Sequence, residues 1–263
     1  MLKCNNLFNN SNMRELEFKE GIHIFEFQKD LSVSPENAII AYYASEMNIK
    51  KRQVLIELNG RSFSLSAGAM QWMAGDVKMS SGVKGIGDLF GKALSAKVSK
   101  ESVIKPEYSG SGMLMLEPTY RYILLESVEK WNGLVLDDGL FLACDAGIKQ
   151  KIVARSNFSS AVLGSEGLFN LCLEGTGIAI LESPVPREEL IEFELDNDEI
   201  KIDGNMAIAW SNTLKFTVEK SGKSLLGSAV SGEGLVNVYR GSGKLLMAPV
   251  GINSIAPVGT NRK

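Results

Sequence analysis

One histidine, three cysteines and no long apolar run are what this 263-residue sequence offers, and each scarcity excludes a class of function. A lone His23 cannot build a multi-histidine metal site, and the chain contains no G-x-S-x-G, H-E-x-x-H, P-loop or EF-hand string. No enzyme is expected from these residues, and no cofactor is implied. Cys4, Cys144 and Cys172 are odd in number and lack C-x-x-C spacing. They indicate neither a disulfide framework nor a zinc knuckle, and read as buried reduced thiols of a cytoplasmic protein. No segment approaches the roughly 18–20 apolar residues that a spanning helix requires. Met1 to Asn12 is polar and Asn-rich, without the apolar centre of a signal peptide. A soluble protein is expected, resting on a membrane surface at most. With 28 basic against 31 acidic residues the formal charge is −3, which argues against an electrostatic grip on nucleic acid.

What is abundant is glycine: 26 residues against 7 prolines, the mark of many tight turns. Three apolar strands open three similar stretches: Val54–Leu58, Tyr122–Glu126 and Ile191–Leu195. Each meets a polar turn, Asn59-Gly60, Asn132-Gly133 or Asp196-Asn197-Asp198, where positive φ is tolerated and a hairpin is predicted. Reverse turns follow around Gly68, Gly139 and Gly204, and then Gly-x-Gly turns at 110–112, 175–177 and 241–243. Ser165-Glu166-Gly167-Leu168-Phe169-Asn170 matches Gly232-Glu233-Gly234-Leu235-Val236-Asn237 nearly letter for letter. The aligned glutamates Glu101, Glu166 and Glu233 stand 65 and 67 residues apart, a fixed period. Such a small β unit buries too little apolar surface alone, so stacked neighbours and self-association through leftover edges are expected.

The divisions are an N-terminal extension 1–50, repeats at 51–118, 119–187 and 188–250, and a tail 251–263. Within the extension, residues 13–29 alternate as a hairpin, and 35–47 predict a short helix with Ser34 as N-cap and Pro35 at its first position. Repeat one carries an insertion at 82–98. There Ile86, Leu89, Phe90, Ala93 and Leu94 share one helical face, with Lys84 and Lys92 beside them. The simpler reading packs this helix on the protein's own sheet. The functional one makes it an arm for a protein partner or an anionic membrane surface.

Other candidates also have two readings. Asp137-Asp138 and Asp203 fit acid–base or metal chemistry, but their recurrence at one turn favours backbone hydrogen bonding. Glu101, Glu166 and Glu233 form a carboxylate ring if symmetry gathers them, or else accept backbone hydrogen bonds from a neighbouring unit. His23 reads as a strand histidine on the solvent side. Trp72, Trp131 and Trp210 read as core.

Several strings together resemble the bacterial branch of the mitochondrial biogenesis (altered inheritance of mitochondria) family. They are Ala67–Met73, Lys105–Gly112, Leu116–Tyr120, Asp137–Ala143, Glu166–Asn170 and Gly232–Tyr239. The resemblance runs from about residue 30 to 250. It implies an all-β chain of three tandem short double-stranded β-helix units, like the tryptophan RNA-binding attenuator protein, in a sandwich- or barrel-like array. It further implies homotrimeric rings of nine units, a scaffold role and no catalytic residues. Two functions are therefore carried forward: a ring-forming scaffold peripheral to a membrane, or small-ligand or nucleic-acid binding in clefts between repeats.

Overall fold

The computed structural model describes residues 3–81, 105–154, 169–220 and 235–250. Among the described residues it is built mostly of β-strands, with a nearly closed barrel-like sheet and one short α-helix. The N-terminal hairpin pairs β1 (Met13–Lys19) with β2 (Ile22–Phe27), turning at Glu20-Gly21, where both residues hold positive φ. A 3₁₀ turn at Pro35–Asn37 leads into α1 (Ala38–Glu46), where the sequence places it, although Ser34 contributes no side-chain cap.

Strands β3 (Arg52–Glu57), β4 (Ser62–Leu65), β5 (Met70–Ser80) and β6 (Glu107–Leu116) form a first ladder. The middle ladder has β7 (Tyr122–Ser127), β8 (Leu134–Leu136), β9 (Phe141–Asp145), β10 (Lys149–Ala154), β11 (Phe169–Glu174) and β12 (Ile178–Ser183). The last has β13 (Ile191–Asp203), β14 (Ala207–Ser211), β15 (Lys215–Lys220) and β16 (Leu235–Met247). In each, a long return strand lies between two others. β6 runs between β3–β4 and β5; β12 and β11 run between β7–β8 and β9–β10; β16 runs between β13 and β14–β15.

The polar turns differ from the hairpins that sequence predicts. Asn59 and Gly60 do take φ of 46° and 84°, but β3 and β4 do not pair with each other. Both pair with β6, so the turn is a bend in one long strand. Asn197, at φ 52°, likewise forms a bulge inside β13 opposite Gly241–Gly243. Positive φ serves a bulge as readily as a hairpin, and only the partner strand distinguishes them. The Gly-x-Gly strings supply the opposing bend. A Cβ on Gly110 or Gly112 would stand 2.1 Å from the Asp76 or Ala74 carbonyl oxygen, so no larger residue fits.

Two sheets result, nine- and seven-stranded among the described residues. Apolar clusters line both, and one of them joins Phe141, Ala179 and Leu181 of the first sheet to Leu134 and Leu136 of the second. Phe63 and Leu65 of the first ladder pack with Ala143, Ile178 and Ile180 of the middle one. Leu134 and Leu136 of the middle ladder pack with Ala209 and Leu246 of the last. Each large side chain buried this way contributes about 1.5–3 kcal/mol.

Three expectations about single residues change. His23 is 8% exposed rather than solvent-facing, covered by Phe8 at 5.2 Å and Phe18 at 4.6 Å between ring centroids. Cys4 is exposed, whereas Cys144 and Cys172 are buried. Trp131 and Trp210 are core, while Trp72 is only half-buried.

Candidate assembly edges and the inter-ladder cleft

The two joints between ladders are made the same way. Across the first, β4 pairs antiparallel with β9: Phe63 opposite Asp145, Ser64 opposite Cys144, Leu65 opposite Ala143. Ser66 N–H donates to Leu142 O and Ala146 N–H to Ser62 O, both at 2.8 Å, extending that register. Across the second, β8 pairs with β14: Leu134 opposite Ser211, Val135 opposite Trp210, Leu136 opposite Ala209. Here Asp137 N–H donates to Ile208 O at 2.9 Å and Asn212 N–H to Gly133 O at 2.7 Å. Matched by position, residues 62–66 correspond to 133–137, and 142–146 to 208–212.

Among the described residues, the same two strand types recur once each without a joint of this kind. β13 pairs only with β16, and β5 only with β6. By the equivalences above, Ile200, Lys201 and Ile202 stand where Phe63, Ser64 and Leu65 do. The matching bulges beside Met70, Phe141 and Ala207 place Trp72 with Ala143 and Ala209. β9 and β14 are almost wholly buried, yet β5 and β13 are exposed along most of their lengths. Apolar side chains on these two strands remain half-covered, Trp72 on β5 and Phe193 and Ile200 on β13.

A second feature lies at the first joint. Arg61 forks onto Asp145, with Nη2 2.7 Å from Oδ1 and 2.9 Å from Oδ2, and its Nη1 donates to Glu20 O. Asp145 Oδ2 also accepts the Ile178 N–H at 2.8 Å. Around this pair opens a cavity of 860 Å³ whose lining includes Glu20, Glu107, Ser62, Thr176 and Gly177. Three carboxylates surround one guanidinium that is already paired. Cys144 and Cys172 do not supply nucleophiles: burial pushes their thiols up to about 12 and about 11.

A family model for mitochondrial biogenesis AIM24 matches residues 45–250, most of the chain. The chain belongs to that family. A similar curated protein, an uncharacterised protein of Streptococcus pyogenes serotype M6, is 29% identical over 214 residues, covering 77% of this chain and 84% of its own length. A crystal structure of a Streptococcus pyogenes protein superposes with a TM-score of 0.58 at 26% identity, covering 79% of this chain and 92% of that one.

Of the residues singled out from sequence, Lys84, Ile86, Leu89, Phe90, Lys92 and Leu94 lie outside the described residues, as do Glu101, Glu166, Glu233 and the tail 251–263. Asp137 is buried, Asp203 is exposed, and among the described residues no three His, Cys, Asp or Glu side chains converge as a metal site. No described helix is long and apolar enough to cross a membrane. Sequence reasoning expected leftover edges but did not identify β5 and β13 as the unmatched joint strands, and it did not point to the Arg61–Asp145 pair.

Proposed function

We propose that the protein is a non-enzymatic scaffold of three similar β units that assembles with further copies of itself, β13 of one chain continuing into β5 of the next. One observation carries this reading: the two internal joints use one register, and among the described residues β5 and β13 are left as the unmatched halves of a third. The intermolecular register is then Ile202 opposite Trp72, Lys201 opposite Met73 and Ile200 opposite Ala74. An open, half-covered strand edge invites such pairing. The family resemblance favours closure as a ring of three chains with nine attenuator-like units. A cytoplasmic location, peripheral to a membrane, fits the same scaffold.

Lys201→Pro tests it. By equivalence with Ser64, the Lys201 N–H points to the open edge, so proline there blocks the joint while sparing the β16 ladder. Light scattering after size exclusion, with native mass spectrometry, should report a trimer for the unaltered chain. The variant should be a folded monomer. An unaltered chain that stays monomeric at tens of micromolar ends the proposal.

The Arg61 cleft supports a second reading, small-ligand binding between units. Its three carboxylates favour a cationic or polyhydroxylated molecule over a phosphate or nucleic acid. Such a ligand should raise the melting temperature of the native chain and lose that effect in Glu107→Gln.

A further inference from the structure

We propose that residues 31–49 form an assembly clasp, its helix α1 packing into the joint that β5 makes with β13 of a second copy. The inference rests on the assembly reading above and supplies the element that seals its contact.

The first argument is α1 itself. From Ala38 to Ala44 every residue is apolar or aromatic, and the helix buries none of them. Ile39 and Ile40 are each 71% exposed and Met47 is 76% exposed. Nine residues make a helix too short to stand alone in water, and one apolar nearly all round is ordinarily buried. Leu31, Ile39, Ile40, Tyr42, Tyr43 and Met47 leave on the order of 700 Å² uncovered. That is close to what one partner contributes to an ordinary stable interface, about 800 Å².

The second argument is where the arm starts. Its base is pinned: Lys51 meets Asp30 at 3.0 Å, Tyr120 donates to Asp30, and Arg52 exchanges backbone hydrogen bonds with Thr119. One residue on, Gln53 Nε2 donates to Gln71 Oε1 of β5 at 2.7 Å. The arm therefore leaves the body beside the beginning of the open β5 edge.

The third is a precedent within the chain. The segment leading into β13 carries Val185, which is buried, and Leu190, and both pack in the apolar cluster of the second joint. α1 occupies the corresponding place before β3, at the joint that lacks its other half.

Chemistry selects the occupant. Residues 31–49 contain Glu36 and Glu46 but no lysine, arginine or histidine, so an anionic membrane would repel the arm. A helix without a polar face suits an enclosed apolar seat better than a flat lipid surface. The half-covered Phe193, Ile200 and Met206 at the far end of the chain offer that seat in the next copy.

The test uses the full chain with Ile40→Glu and Tyr43→Glu combined. Both side chains are exposed in a single chain, so circular dichroism and the melting temperature of dissociated protein should not change. The assembly's dissociation constant should rise at least tenfold. Amides 38–46 of the unaltered chain should be protected from hydrogen exchange when assembled and lose protection on dilution. Unchanged affinity in the variant, or equal exchange in both states, overturns the clasp. Sedimentation of the unaltered chain with phosphatidylcholine–phosphatidylglycerol vesicles, abolished by the variant while assembly persists, overturns it in favour of lipid. A chain that never assembles overturns both readings, whereas assembly that survives the arm variant overturns this one alone.

Discussion

Arg61 and Asp145, 84 residues apart in the chain, meet in a two-oxygen ion pair that bolts the first ladder to the middle one. Asp145 is largely enclosed and also holds the Ile178 N–H, so the pair is tied to the backbone on one side. Arg61→Ala leaves that carboxylate without its cation. A loss of about 1–3 kcal/mol is expected by urea denaturation, with Arg61→Lys recovering only part because it cannot fork. A variant within a few tenths of the unaltered chain would show the pair to be ornamental.

Gly110 carries the sharpest backbone requirement. Its φ of 123° is foreign to L side chains, and a Cβ would collide with the Asp76 carbonyl. Gly110→Ala is expected to destabilise by about 2–4 kcal/mol, or to prevent folding. Gly139→Ala, with a φ of 81° but open space around it, should be milder. Thermal melts of the two variants decide it, and equal melting temperatures would contradict the close approach.

Thiol labelling separates the cysteines. At pH 8 in the folded chain only Cys4 should react promptly with a maleimide, since Cys144 and Cys172 are buried and their thiols are pushed up to about 12 and about 11. Unfolding in guanidinium should release all three. Prompt labelling of Cys144 in native protein would mean that the first joint opens readily.

Glu126 gives a pH signature. Burial raises its pKa above 4.5, against the lowering pull of Arg187 and the Trp131 N–H. The folded chain thus holds this proton more tightly than the unfolded chain does. Its contribution to stability is present below pH 4.5 and is lost as pH rises through the elevated folded value. Glu126→Gln keeps an acceptor for Trp131 and removes the titration. The variant should lose less stability than the unaltered chain between pH 4 and 7, followed by melting temperature. Parallel curves would assign the pH response elsewhere.

The strands were legible because alternation and β-branched runs are local properties. Val54–Glu57, Tyr122–Glu126 and Ile191–Leu195 lie on strands, with Leu58 just past the end of β3, and Pro35 opens the short helical stretch. The turns were legible only as backbone conformations. Asn59-Gly60 and Asn197 have the positive φ that their sequence demands, but whether the flanking strands pair with each other depends on β6 and β16, far away in the chain. His23 misled for a similar reason. Its cover is Phe8 from the N-terminal segment and Phe18 from the facing strand, contacts that no pattern within Ile22–Ile24 announces. The apolar character of α1 was visible in sequence, and its lack of a seat was not.

Each internal joint pairs two unlike strands, β4 with β9 and β8 with β14. A contact of that kind has polarity: in the proposed assembly β13 is the plug and β5 the socket, and like strands have nothing to offer one another. Any array continued through it grows head to tail, ending either by meeting its own start or by running on as a filament. One defective plug therefore leaves a gap that no number of sound chains can bridge, so a minority of blocked subunits should act as chain terminators on the rest.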